Sequence, residues 1–150
     1  MKMLPDSMQA VVIVAAQQAE LQTVECDASP LHEDEICGQT EATLISPGTE
    51  LSALYVGGTD VDYKPTYPAR PGYAAVMRID AIGSGVANLA IGDRVLTMGP
   101  HASRQRCKAV DAHRLPEGLP SHAGVFARLM GVSWSTLVTT TARPADRVLV

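Results

Sequence analysis

The sequence predicts a mainly β fold, a small, partly open β-barrel with short helices and a connecting helix towards its C-terminal end. Three observations predict it. Of the 150 residues 46% are hydrophobic but only 4% are aromatic, so the core has to be built from Val, Ile, Leu and Ala. Runs of β-branched and alternating residues recur along the chain up to Val110, broken by one short helical turn and one long loop, and the longer helical stretch begins only at Ser121. Glycines 83, 85, 92 and 99 interrupt the strand-like stretches where bulges and barrel corners need them. At this length one core and about one domain are expected.

Each element has its own signal. Residues 1–7 show no periodicity and are expected to be a flexible terminus; residues 8–125 are read as the main domain, and 126–150 as the connecting helix with a strand after it. Val11-Val12-Ile13-Val14 is rich in β-branched residues and Leu21-Gln22-Thr23-Val24-Glu25 alternates, which together predict a hairpin. The acidic stretch His32-Glu33-Asp34-Glu35 is a loop, and a strand resumes over 36–44. In Ser46-Pro47-Gly48-Thr49-Glu50 a turn leads into a short helix through Tyr55, with Thr49 as its cap and Glu50 in the favourable first turn. From Gly57 to Gly72 the prolines at 65, 68 and 71 forbid a helix or central strand, leaving a long loop of the kind that often carries function. Strands follow over 74–86, 94–98 and 105–110. A helix capped by Ser121 then runs to about Val138. Val148-Leu149-Val150 reads as a buried strand.

Composition excludes several functions. The net charge is −4 and the cations are scattered, so no basic surface exists to neutralise phosphates and nucleic acid is not an expected partner. The longest early apolar run, Ala10 to Ala16, is far short of a membrane span, and Pro5 and Asp6 before it do not suit a signal peptide. Three widely spaced cysteines, Cys26, Cys37 and Cys107, fit free thiols in a reducing cytoplasm; a single Cys26–Cys37 bridge is the alternative.

Ile45-Ser46-Pro47-Gly48-Thr49-Glu50, Tyr67-Pro68-Ala69-Arg70-Pro71-Gly72-Tyr73, Ile82-Gly83-Ser84-Gly85-Val86 and Ile91-Gly92-Asp93-Arg94-Val95 occur in an order and spacing that resembles medium-chain dehydrogenase/reductases, the zinc-type alcohol dehydrogenase-like family. Leu115 to Pro120 and Leu129 to Thr136 resemble that family's crossover into its nucleotide-binding domain. The resemblance covers about residues 8–150 and implies a GroES-like catalytic domain, NAD or NADP as cofactor, a small-molecule substrate, and a Rossmann domain that would follow Val150. A weaker likeness, in residues 45–50 and Gly99-Pro100-His101-Ala102-Ser103, is to a branch that includes bacteriochlorophyllide dehydrogenases.

Catalytic zinc needs three protein ligands and an open position. The positions that match the family's ligands hold Ser46 or Pro47, Tyr73 and Val132, and the four clustered cysteines of a structural zinc lobe are missing, so no zinc is expected. A substitute trio of Glu50, His101 and Cys107 is the alternative metal reading. Without a metal the substrate oxygen has to be met by hydrogen-bond donors. Thr49 matches the family's proton-relay hydroxyl. Tyr73 either polarises substrate or fills the volume left by metal, and His101 either handles a proton or caps a turn. Ser46, Ser135 and Thr136 are expected to face the cofactor. His32, His113 and His122 lie in polar surroundings and are read as solvated.

The function implied is the substrate-side domain of an NAD(P)-dependent, zinc-independent oxidoreductase acting on an alcohol, ketone or activated alkene, inactive without its cofactor domain. The alternative is a stand-alone GroES-like binding or assembly module without enzymatic activity.

Overall fold

The computed structural model describes residues 5–57, 64–140, 143, 146 and 147, and Val148 to Val150, read above as a strand, lie outside them. The hairpin forms as expected, from β1 (Ser7–Ala15) and antiparallel β2 (Gln18–Glu25). Strand β1 already begins at Ser7, inside the stretch read as a loose terminus. The two-residue turn places Gln17 at φ 60°, a conformation that L-residues avoid, and the Gln17 amide is held there by the Tyr55 carbonyl at 2.6 Å. β1 buries Ala10, Val12 and Ile13, whereas β2 is largely exposed.

The main sheet is antiparallel. It comprises β3 (Glu35–Thr43), β4 (Ala75–Ile82), β5 (Arg94–Thr97), β6 (Arg104–Lys108) and β7 (His113–Arg114), in the spatial order β6-β3-β4-β5-β7. Register shifts between Cys37 and Gly38 and between Thr40 and Ala42 bend β3 along its length. The predicted strand over 74–86 stops at Ile82, where the Gly83 amide turns back to the Glu35 carbonyl at 2.7 Å; that predicted over 105–110 gives way to a 3-10 turn at Ala109–Asp111.

Strand β4 is buried on both faces. Met77 and Ile79 join Ile36, Leu89, Val95 and Ala109 on one side, and Val76 joins Ala74, Leu115 and Val125 on the other. Both clusters are aliphatic, as the scarcity of aromatics requires. The hairpin and the main sheet do not merge into a closed barrel. Bridges from Ala10 to Ala102 and from Ile13 to Ala69 tie the hairpin to segments between the strands of the main sheet, giving a mainly β, partly open barrel.

The helical stretch predicted from Ser121 is two helices, α1 (Ser121–Gly124) and α2 (Ala127–Thr139). The break falls at Val125, which is drawn into the core at 2% exposure, while α2 beyond it has no buried residue. Ser121 is not a cap. Pro120 occupies the cap position, and the Ser121 hydroxyl donates to the Glu41 carboxylate instead. All three cysteines are free thiols. Among the described residues no helix is long and apolar enough to cross a membrane.

Candidate active site

The helical segment Pro47–Tyr55 opens the site. Pro47 has no N–H to leave unpaired at a helix start, and the segment is wound wider than an α-helix, with the Val56 amide reaching five residues back to Leu51 at 2.8 Å. Thr49, expected to cap it, lies inside the segment; Ser46 holds the cap position with no side-chain hydrogen bond. Glu50 does the capping from within. One of its carboxylate oxygens accepts the Ser46 N–H at 2.8 Å, reaching back to the cap residue from one position beyond that of a capping-box glutamate.

The other oxygen of Glu50 lies 2.6 Å from His101 Nε2. Exposures of 4% for Glu50 and 8% for His101 leave these two groups to satisfy each other, because a buried carboxylate needs partners as much as a buried imidazole does. His101 is itself held through its backbone, its N–H donating to Pro71 at 2.9 Å and its carbonyl accepting from Val11 at 2.8 Å. Gly72 makes this approach possible. At φ 110° it adopts a left-handed conformation, and a Cβ there would lie 2.5 Å from the His101 nitrogen and 2.8 Å from Pro100 Cα.

Tyr73 follows directly. The Leu44 amide bonds to the Ala74 carbonyl at 3.1 Å, fixing the end of β3, two residues before Ser46, beside Tyr73. Tyr73 is half-buried, its ring lies beneath the Arg128 guanidinium at 5.2 Å from the centroid, and its hydroxyl makes no hydrogen bond among the described residues. Thr49 is exposed, on the same turn as buried Glu50.

The structure thus gathers Ser46, Glu50, His101 and the backbone of Tyr73, with Thr49 at the edge. It does not gather the rest. Ser135 and Thr136 are exposed on α2, and their hydroxyls donate to carbonyls of their own helix, Gly131 at 2.8 Å and Val132 at 3.3 Å. Cys107 packs against the Ile36 and Met77 cluster, where burial pushes its thiol up, so the trio of Glu50, His101 and Cys107 does not form. Among the described residues no three His, Cys, Asp or Glu side chains stand close enough together to hold a metal ion. His32, His113 and His122 are all exposed. Sequence reasoning missed Arg128 altogether, although it is the sole charged side chain between Glu117 and Arg143.

The model of the alcohol dehydrogenase GroES-like domain matches residues 42–143, more than half of the chain. The chain belongs to this family. The sequence finds no significant match among curated proteins. Among solved structures it is similar to galactitol-1-phosphate dehydrogenase from Escherichia coli, with 20% identity over 85% of this chain and 43% of that one and a TM-score of 0.69. It is also similar to the alcohol dehydrogenase TADH from Thermus sp. ATN1, with 20% identity over 93% and 49% and a TM-score of 0.76. The quinone oxidoreductase from Coxiella burnetii shows 16% identity over 93% and 47%, with a TM-score of 0.72. The chain spans about half the length of the solved structures it matches, and at these identities the likeness is one of fold.

Proposed function

We propose that this domain forms the substrate side of an NAD(P)-dependent, zinc-independent oxidoreductase that acts on an alcohol, ketone or activated alkene, working with a nucleotide-binding domain. The observation that carries the reading is the buried Glu50–His101 contact of 2.6 Å, next to Ser46 and the backbone of Tyr73, two of the positions that match the family's metal ligands.

The donor set at those positions does not suit zinc. At the first position Pro47 has no donor atom and Ser46 offers only a neutral hydroxyl, Val132 is an exposed aliphatic side chain on α2, and the Tyr73 ring lies under a guanidinium whose charge would oppose a cation. Glu50 and His101, the two side chains nearby with suitable atoms, are bonded to each other. No step of the reaction is therefore assigned to a metal.

A nicotinamide cofactor, when bound, supplies or accepts the hydride. This chain supplies oxygen-binding and proton-handling groups. The free hydroxyl of Tyr73, with Thr49 at the edge, donates to the substrate oxygen as charge develops there. His101, held through Nε2 by the Glu50 carboxyl group, is the side chain assigned to proton transfer with the substrate. Glu50 also ties that histidine to the helix start through the Ser46 N–H. Ser46, Ser135 and Thr136 are assigned to the cofactor side; for Ser135 and Thr136 this requires their hydroxyls to leave their present helix carbonyls.

Turnover of the full-length protein with NADH and NADPH against ketones and enones tests the proposal. Tyr73→Phe should lower kcat by about 10²-fold, the usual loss for one well-placed donor. His101→Gln should cost about 10² to 10⁴-fold, the usual range for a general acid or base. Reduction that tracks one tightly held zinc per chain by elemental analysis, or variants that stay within a few-fold of the parent, would overturn it.

A further inference from the structure

Arg128 sits where helix energetics oppose it. It is the second residue of α2, in the first turn, where the exposed N–H groups favour an anion and disfavour a cation. No carboxylate pairs with it among the described residues, and its Nε is buried with no hydrogen-bond acceptor. Among the described residues its charge meets the face of Tyr73, 5.2 Å from the ring centroid. A guanidinium with an unfavourable position in the helix and no counter-ion among the described residues is matched by an anionic group that accepts from its terminal nitrogens, the Nε being shielded from any incoming ligand.

We propose that Arg128 is a substrate-binding residue that selects substrates bearing a carboxylate next to the reacting carbonyl, as in 2-oxo acids or the corresponding 2-hydroxy acids. The proposal rests on the reading of Tyr73 as a donor to the substrate oxygen and adds the substrate class. The planar guanidinium, braced by the Tyr73 ring, presents a fork that fits a carboxylate in two-point contact. In this proposal Arg128 holds the carboxylate and the Tyr73 hydroxyl the neighbouring carbonyl oxygen, so that one contacting pair both selects and orients the substrate.

Binding tests this without requiring turnover. The probes are 2-oxobutyrate and 2-butanone, which share the ketone and differ in the carboxylate, titrated into the full-length protein and followed by thermal shift and by NMR line broadening of the probe. The parent should bind 2-oxobutyrate at least tenfold more tightly than 2-butanone. Arg128→Gln should abolish that difference while leaving 2-butanone binding within about threefold, and Arg128→Lys should retain part of it. Arg128→Met keeps the apolar stem and serves if the glutamine variant is poorly folded. The urea midpoint of Arg128→Gln should not fall, because the variant removes an unfavourable charge and a buried donor; a marked fall would mean that Arg128 serves packing.

No preference for the oxo acid in the parent overturns the proposal, as does an equal loss of both probes in the variant. A loss confined to NADH or NADPH binding would assign the cation to cofactor phosphate instead. If the preference for the carboxylate holds and no cofactor-dependent turnover is found with any substrate, the oxidoreductase reading fails while the carboxylate site stands.

Discussion

Strand β4 and helix α2 are both rich in apolar residues and have opposite fates. Ala75, Val76 and Met77 of β4 are fully buried and Ile79 is 1% exposed, whereas α2 buries nothing and leaves Met130 at 68%, Trp134 at 66% and Val138 at 62%. β4 owes its place to neighbours on both faces. α2 owes its shape to its own backbone, with Ser133, Ser135, Thr136 and Thr139 returning hydroxyl hydrogen bonds to that same helix. A helix of 13 residues is marginal by itself in water, so its uncovered apolar face adds little to the stability of this domain. Stability therefore resides in the sheet, while α2 carries Arg128, the cation that meets the Tyr73 ring.

The contrast can be broken most forcefully at Met77. Met77→Ala should lower the unfolding free energy by about 2 to 5 kcal/mol, read from urea denaturation, because a fully buried side chain leaves a cavity between β4 and its neighbours. A smaller loss is expected at the site. Glu50→Ala leaves the Ser46 N–H and His101 without their acceptor and should cost about 1 to 3 kcal/mol in the same assay.

Acid should weaken the contacts of β3 next. The Arg106 hydrogen bond, helped by the His32 amide, holds the Glu35 carboxyl below its usual value of 4.5, and the Ser121 hydroxyl with Arg78 does the same for Glu41. A lowered folded-state value means that the stability from these groups is present above their unfolded values and is lost as pH falls through the folded ones. Unfolding free energy should therefore decline as pH drops below about 4.5, and Glu35→Gln should flatten part of that decline. Smallest of all is Trp134→Ala on α2, expected to move the urea midpoint by no more than about 0.5 kcal/mol in free energy. A loss as large as that of Met77→Ala would show that α2 is covered after all.

Much of the sheet was legible because strands announce themselves locally. β-branched runs and alternation place the hairpin, β3, β4 and β5 within a few residues of where they form. Hydrogen-bonding partners distant in sequence were not legible. The Ser121 hydroxyl looked like a cap, but it was taken by Glu41, 80 residues away. Thr49 had the right chemistry for a cap, yet the turn begins earlier and Glu50 supplies the acceptor. The candidate site shows the same limit. His101 and Glu50 could each be singled out by residue type and motif, but their pairing across 51 residues depends on how the Pro71 to Tyr73 backbone meets the Pro100 to His101 segment. A lone arginine in an uncharged stretch was a visible sign, and nothing local connects it to a tyrosine 55 residues earlier.

Gly72 is confined to its identity by two separate causes. Its φ of 110° excludes L-side chains, and the space a Cβ needs is filled by backbone atoms of Pro100 and His101. A crowded side chain can be trimmed by a compensating change nearby, but a main-chain atom cannot be made smaller. Suppressor searches starting from Gly72→Ala should therefore return the original codon and no second-site revertants within the Pro100 to His101 segment.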